Sequence, residues 1–179
     1  MQDRREKIIA AGLQTLRELG YTGFTQPQVA SRAGLRQSHL TYYYPTRVDL
    51  LAAVGRAAID GQLAAVDAVF QGSSDQVAET IARLVGRHEN TRVLMALAQA
   101  GDHQPQLRDL FCELADGIVA RATRYLKTLN PAASEADGRL LHALSVGLAV
   151  VGLATGREDS ASKAADILRS ALAMISNPP

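Results

Sequence analysis

The sequence is poor in cysteine and has no long apolar segment. Because Cys112 is the single cysteine among 179 residues, the chain cannot form an intramolecular disulfide, which suits a reducing cytoplasm. The first residues are charged and include no apolar signal region. The most apolar run, residues 140–155, is shorter than a bilayer-spanning helix and contains His142. We therefore expect a soluble cytoplasmic protein that does not contact a membrane.

The sequence also lacks the residue groupings of enzymes and metal sites. Its 4 histidines have neither metal-ligand spacing nor cysteine partners. Cys112 has no histidine close to it in sequence, no glycine loop of the phosphate-binding kind is present, and no carboxylate pair stands in an apolar segment. We therefore predict that the protein is not an enzyme and has no catalytic residues, no metal and no cofactor.

No segment alternates apolar and polar residues in the manner of a β-strand. Apolar residues instead recur every three to four positions, as they do along one face of a helix. This periodicity predicts an all-α fold. The predicted long helices span residues 4–19, 46–70, 74–86, 88–100, 104–128, 134–155 and 160–176.

Charge is balanced over the whole chain but uneven along it. The chain has 19 Lys and Arg against 18 Asp and Glu, for a formal net charge of +1. Residues 1–50 carry an excess of basic side chains, whereas the remainder carries an excess of acidic ones. Contacts with DNA phosphates would lie at the basic end, and their strength would depend on salt.

Residues 25–44 have the pattern of two very short helices joined by a glycine turn. Thr25 and Gln28 form a capping-box pattern at the start of the first helix, where Pro27 is also favoured. Gly34 supplies the left-handed residue that ends this helix. Such a pair is a helix-turn-helix, whose second helix enters the DNA major groove. The alternative is a small helical hairpin in an ordinary α-helical domain, with its tyrosines in the core.

The second short helix carries side chains suited to bases and phosphates. Arg36, Gln37 and His39 are candidates for base contacts, because arginine pairs with guanine and glutamine with adenine, and Ser38 can serve either role. Tyr44 is expected to pack. The predicted phosphate contacts are Thr25, Gln26, Thr41, Tyr42, Tyr43, Thr46 and Arg47. Together with the first helix, these two helices are expected to enclose Leu16, Leu19, Phe24, Val29, Leu35 and Leu40.

Residues 4–54 resemble the DNA-binding domain of the TetR/AcrR family of bacterial transcriptional regulators. The family usually has serine or threonine at the position of Arg36 and often tyrosine at that of Thr41. The resemblance implies a three-helix DNA-binding domain over residues 1–54 and a helical ligand-binding and dimerisation domain over residues 55–179. The matching residues are Ile9, Ala11, Gly20, Phe24, Thr25, Val29, Ala30, Ala33, Gly34, Leu35, residues 40–45, Arg47, Leu50 and Leu51.

The last two predicted helices are the expected subunit contact. Residues 134–155 are apolar on nearly every side, so this helix must be buried on more than one side. It could be a central helix of a monomer, but the resemblance implies a homodimer joined through a two-fold four-helix interface. The expected interface residues are Leu140, Leu144, Gly147, Leu148, Val151, Ile167, Leu168, Ala171, Leu172 and Ile175.

The middle helices are expected to bind a small-molecule effector, because family members are commonly released from DNA in this way. An apolar cavity with a few polar groups is what such a site requires. The candidates are His88, Arg92, Met95, Gln99, His103, Phe111, Tyr125 and His142. We thus predict a dimeric repressor that leaves a near-palindromic double-stranded operator when the effector binds. The alternative is a helical interaction protein whose DNA-binding domain is not used for specific DNA binding.

Overall fold

The structure, a computed structural model, describes residues 4–102 and 104–177. Over these residues it contains nine α-helices and no β-strand, which confirms the predicted all-α fold. The helices are α1 (Arg4–Gly23), α2 (Gln26–Arg32), α3 (Gln37–Tyr43), α4 (Arg47–Val69), α5 (Ser74–Val85), α6 (His88–Gly101), α7 (Pro105–Leu129), α8 (Glu135–Thr155) and α9 (Ser160–Ser176).

The end of α1 differs from the prediction. The helix was expected to stop at Gly20, yet helical hydrogen bonding continues to Gly23 on the far side of a kink. Gly20 itself is not helical, with φ 64° and ψ −166°, a conformation that a side chain would oppose. Leu19, which we expected in the core, is 44% exposed. Its Cβ lies beside Gly23, because the chain turns at Gly20 before it reaches Phe24.

The described chain folds into two compact units. The first unit comprises the described residues of Met1–Gly61 and Arg92–Cys112, and the second comprises those of Gln62–Thr91 and Glu113–Pro179. The predicted domain boundary after residue 54 divides the chain by function, whereas these units are divided by contacts. That boundary stays a prediction.

The first unit has its core under the helix-turn-helix. Side chains from α1, α2, α3 and α4 are fully buried there, and α6 and α7 add Val93, Leu97 and Leu107. Ile8 and Leu16 of α1, Leu40 of α3 and Leu50 of α4 are fully buried in this core, as is Phe24, which lies between α1 and α2. The helix-turn-helix therefore rests on a continuous apolar base, as helices this short require.

The second unit is built around the packing of α5 against α9. Val77, Leu126, Leu168 and Leu172 are buried in its core. At the surface, Arg169 of α9 pairs with Glu79 of α5 at 2.7 Å. The guanidinium of Arg121 in α7 donates two hydrogen bonds, of 2.7 and 3.0 Å, to the Asp67 carboxylate of α4, and these bonds hold the pKa of that carboxyl below its ordinary value.

Helix α8 is longer than its apolar run. It begins at Glu135, where Ser134 and Asp137 form a capping box, and it has 21 residues. An 18-residue window has a mean hydropathy of 1.5, so α8 could cross a membrane by length and composition alone. The apolar run at residues 140–155 is shorter than this helix, because polar residues at its start extend it, and one helix of this kind is weak evidence for a membrane span. Only 17% of that window is buried within the described chain.

Candidate nucleic-acid interface

Helix α2 is capped at its start by a side chain and at its end by backbone hydrogen bonds. The Thr25 hydroxyl accepts the Gln28 N–H at 3.4 Å and so caps α2. At the other end of α2, the Leu35 N–H donates to the Ala30 carbonyl and the Gly34 N–H to the Ser31 carbonyl. This is a Schellman motif, which needs the left-handed φ of 66° at Gly34. The turn therefore sets the direction in which α3 leaves α2.

Helix α3 begins without a side-chain cap. Arg36 stands at the N-cap position, where its carbonyl accepts the His39 N–H at 3.0 Å, but its side chain makes no capping hydrogen bond. Serine or threonine at this position could cap the helix, whereas the Arg36 guanidinium does not take part in the cap. Arg36, Gln37, Ser38 and His39 are all exposed, whereas Leu40 is fully buried. The four predicted base-reading side chains are brought together on the open start of α3.

The three tyrosines that follow differ in exposure. Tyr42 is 81% exposed. Its ring meets Tyr43 edge to face, with centroids 5.2 Å apart. Tyr43 and Tyr44 are half-buried and pack on the core of the first unit. Thr41 donates its hydroxyl to the Gln37 and Ser38 carbonyls, at 3.2 Å each. Tyr42 is therefore the tyrosine whose ring is most open to a nucleic acid.

Two of the predicted phosphate contacts also make hydrogen bonds at helix ends. Gln26 donates its side-chain amide to the Tyr44 carbonyl at 2.8 Å, which links the start of α2 to the end of α3. Thr46 caps α4, since its hydroxyl donates to the Asp49 carboxylate at 2.7 Å and accepts the Asp49 N–H at 3.1 Å. Both side chains are thus positioned by bonds within the chain.

Arg47 has a structural role that sequence reasoning missed. Its Nε donates to the Phe24 carbonyl at 2.7 Å and its Nη2 to the Tyr21 carbonyl at 2.6 Å. The guanidinium also lies 4.3 Å from the centroid of the Tyr21 ring. These contacts join the start of α4 to the end of α1. No sequence pattern signalled them, because the carbonyl partners lie 23 and 26 residues earlier in the chain.

A second link that the sequence did not reveal joins α1 and α2. Arg32 donates to the Glu18 carboxylate at 2.6 Å across the two helices. This hydrogen bond holds the pKa of Glu18 below its ordinary value. The three helices of the DNA-binding region are thus joined by polar contacts as well as by the core.

The predicted effector residues are divided between the two units. Arg92, Met95 and Gln99 are exposed in the first unit, which also holds the half-buried Phe111, and His103 lies outside the described residues. The second unit holds His88, Tyr125 and His142.

Two of these effector candidates are shielded from solvent in the second unit. Tyr125 is buried, and its hydroxyl donates to the Gly72 carbonyl at 3.4 Å. Burial raises the pKa of the Tyr125 hydroxyl and lowers that of His142. His142 is therefore favoured in its neutral form.

A groove of about 330 Å³ lies in the second unit between α8 and α9. None of the predicted effector residues lines it. Its polar groups are engaged, since Asn130 donates to the Ile175 carbonyl and Asp137 accepts from Ser134. Its lining residues are Asn130, Ala132, Ala133, Asp137, Leu140, Ala171, Met174 and Ile175. Within the described ranges, no cluster of three His, Cys, Asp or Glu side chains could hold a metal ion.

The predicted interface residues of α8 and α9 differ in their exposure. Leu140, Val151 and Ile167 are 55, 60 and 43% exposed, and Gly147 is also exposed. Leu144, Leu148 and Ile175 are half-buried. By contrast, Leu168, Ala171 and Leu172 are buried within the chain itself. The exposed members leave apolar area on α8 and on α9 that the described chain does not cover.

Two family models match the chain on either side of residue 60. Residues 8–54 match the model described as "Bacterial regulatory proteins, tetR family". Residues 71–174 match the one described as "Tetracyclin repressor-like, C-terminal domain". The chain belongs to the TetR family of transcriptional regulators. Members of this family are DNA-binding regulators rather than enzymes, so the predicted absence of catalytic activity agrees with its identity.

Curated relatives of this TetR-family regulator match over part of their length. RutR of Escherichia coli is 30% identical over 109 residues, which cover 61% of this chain and 46% of RutR. CymR of Pseudomonas putida is 31% identical over 114 residues, which cover 58% of this chain and 53% of CymR. The chain thus spans about half the length of these relatives.

Solved structures share the fold over nearly the whole chain. A transcriptional regulator from Rhodococcus sp. Rha1 superposes with a TM-score of 0.83 at 22% identity, covering 96% of this chain and 95% of that one. The multidrug binding protein EbrR, complexed with ethidium, superposes with a TM-score of 0.71 at 24% identity, covering 94% and 98%. At this identity the similarity shows the fold alone.

Proposed function

We propose that this TetR-family regulator is a homodimeric repressor that binds a near-palindromic operator and leaves it when a small molecule binds. The observation that carries the proposal is the open start of α3, where Arg36, Gln37, Ser38 and His39 project from a helix anchored by the buried Leu40. Arginine recognises guanine O6 and N7, and glutamine recognises adenine N6 and N7. In a helix-turn-helix, these are the positions that reach the base edges.

Contacts with phosphates would fix the register of α3 in the major groove. Tyr42 is 81% exposed, and its hydroxyl can donate to a phosphate oxygen. Thr25, Gln26, Thr41, Tyr43, Thr46 and Arg47 remain in the proposed set, although Gln26, Thr46 and Arg47 also make hydrogen bonds within the chain. For these three we propose that positioning the helix-turn-helix is the main role.

The uncovered apolar surface of α8 and α9 supports a homodimer. Leu140, Gly147, Val151 and Ile167 expose apolar area that water would disfavour. A second copy can cover this surface through a two-fold axis, which presents the same residues from both chains. Membership of a family of DNA-binding regulators favours a protein partner over a bilayer for α8, and with it a cytoplasmic location. The two α3 helices of the dimer would then bind two half-sites that are separated by about one turn of DNA or a multiple of it.

The effector would act by selecting one of two dimer geometries. A ligand that binds one geometry more tightly shifts the population towards it, and a rotation between subunits changes the spacing of the two α3 helices. EbrR, described as a multidrug binding protein, has been seen with imidazole, proflavin and ethidium. We propose that the present chain also takes a small organic molecule, and that His88, Arg92, Met95, Gln99, His103, Phe111, Tyr125 and His142 include the contacts.

Selection of DNA from a random duplex library tests the proposal. Binding would be repeated at several salt concentrations, because contacts with phosphates are salt-dependent. We expect enrichment of an inverted repeat that the protein retards in a gel with the mass of a dimer. Enrichment of no sequence at any moderate salt would overturn the repressor proposal and favour the helical interaction protein. Release of the bound repeat by compounds from a screen would then test the effector step.

A further inference from the structure

The first turn of α1 carries a concentration of positive charge. Arg4, Arg5 and Lys7 are all exposed, and Glu6 is the acidic residue among them. Arg4 and Lys7 are three residues apart, so they are neighbours on the helix surface. The turn therefore presents a net positive surface to solvent.

Helix stability does not account for these residues. The N-terminus of an α-helix carries a partial positive charge, so basic side chains in the first turn are unfavourable for the helix. An acidic first turn would stabilise α1 better than the Arg4–Lys7 segment does. The basic turn is therefore better explained by an anionic partner than by folding.

The position of this turn indicates which partner. The guanidinium carbon of Arg5 lies 5.7 Å from the centroid of the Tyr43 ring, and Tyr43 is in edge-to-face contact with the exposed Tyr42. Successive phosphates of one strand are about 3.4 Å apart along the helix axis, so a strand held by Tyr42 would have further phosphates within reach of α1. The contact lies at the C-terminal end of α3, whereas Arg36 stands at its opposite end.

We propose that Arg4, Arg5 and Lys7 bind DNA phosphates beside the C-terminal end of α3 and so extend the footprint beyond the bases that α3 contacts. This inference rests on the proposed function, because it needs α3 to lie on DNA. The contacts add affinity and salt dependence without sequence preference, since phosphates are the same at every base pair.

The test compares the double variant Arg4→Gln/Lys7→Gln with the unchanged protein on the selected operator. Both residues are exposed, and Arg5 stays in place against Tyr43. Each lost phosphate contact makes the slope of log K against log salt less steep by about 0.9. We expect a slope shallower by about two, lower affinity for all sequences alike, and hydroxyl-radical protection lost at one edge of each half-site. The thermal midpoint should stay the same or rise, because a basic first turn does not stabilise the helix.

The matched control is Lys127→Gln/Arg157→Gln, which removes the same charge from exposed positions in the second unit. This control should leave the slope and the footprint unchanged. An unchanged slope and footprint in Arg4→Gln/Lys7→Gln, with normal binding by the unchanged protein, would overturn this inference alone. Failure of the unchanged protein to bind any duplex would instead overturn the proposed function.

Discussion

The exposed side chains at the start of α3 differ in what they can recognise. Arg36 offers a planar fork of donors, Gln37 offers both a donor and an acceptor, and Ser38 and His39 have shorter reach. Because the Arg36 side chain does not cap α3, it is available to pair with guanine. A serine or threonine cap would contribute to helix stability instead of recognition.

We predict that Arg36→Ala relaxes preference at one base pair and weakens operator binding by about 1–3 kcal/mol, because one bidentate base contact is lost. The measurement is affinity for operators substituted at each position in turn. Tyr42→Phe is the comparison variant, since it should weaken all sequences with little change in preference. Equal weakening of every sequence by Arg36→Ala would make Arg36 a phosphate contact.

For Arg47 we expect a loss of stability rather than of salt dependence. Arg47→Met keeps the apolar stem but removes the donors to the Tyr21 and Phe24 carbonyls. Hydrogen bonds from charged groups contribute about 1.5–3 kcal/mol, so the free energy of unfolding should fall by about that amount in a urea titration. The matched control is Arg17→Met, at an exposed arginine of α1. This change should leave the free energy of unfolding unchanged. If Arg47→Met unfolds normally but its DNA binding depends less steeply on salt, Arg47 is a phosphate contact instead.

The sequence predicted the exposed residues of α3 better than the polar contacts around them. Leu35 and Leu40 identified the side of α3 that faces the core. The exposed residues on its other sides therefore followed from periodicity alone. The bonds from Gln26 and Arg47 join residues 18 to 26 positions apart, and no local pattern encodes such distances. The effector residues stay a prediction, because polar residues on helices do not reveal which of them face a common cavity.

At the scale of elements, capping pairs and glycines mark the ends of several helices. Ser73 with Gln76 caps α5, and Ser134 with Asp137 caps α8. These pairs are readable in sequence, because the cap and its partner are three residues apart. The end of α1 was not readable in the same way. Gly20 breaks the helical dihedrals, but the chain resumes helical hydrogen bonding for a few residues.

We predict that Gly34→Ala destabilises the turn between α2 and α3 by about 1–2 kcal/mol, the cost of a side chain in the left-handed region. No neighbouring atom would contact the added Cβ, so the cost arises from the backbone alone. The control is Gly61→Ala, at an open position inside α4, which should stabilise the protein by about 0.5–1 kcal/mol. Urea unfolding measures both. An unchanged midpoint in Gly34→Ala would show that the turn adopts another conformation in solution.

At the scale of the whole molecule, the surface of α8 is the feature that a single chain leaves unexplained. A helix that is apolar on most sides but little buried in its own chain needs a further partner. Length and hydropathy alone do not distinguish a bilayer from a second subunit. Membership of the TetR family favours the subunit, and the small Gly147 would let an opposing helix approach closely.

A charge placed at Val151 distinguishes these partners of α8. Val151 is 60% exposed, so Val151→Glu removes little packing within the chain and should change the thermal midpoint of a monomer only slightly. In a dimer the same change buries a carboxylate in an apolar interface, which costs several kcal/mol. We therefore expect sedimentation at micromolar concentration to change from a dimer to a monomer, and operator affinity to fall at least tenfold because the two α3 helices are no longer linked. Met95→Glu, at a methionine of the first unit that is 48% exposed, is the matched control and should remain dimeric. A dimeric Val151→Glu with full affinity would show that the subunits meet elsewhere, and a protein that requires detergent to stay dispersed would point to a bilayer on this face.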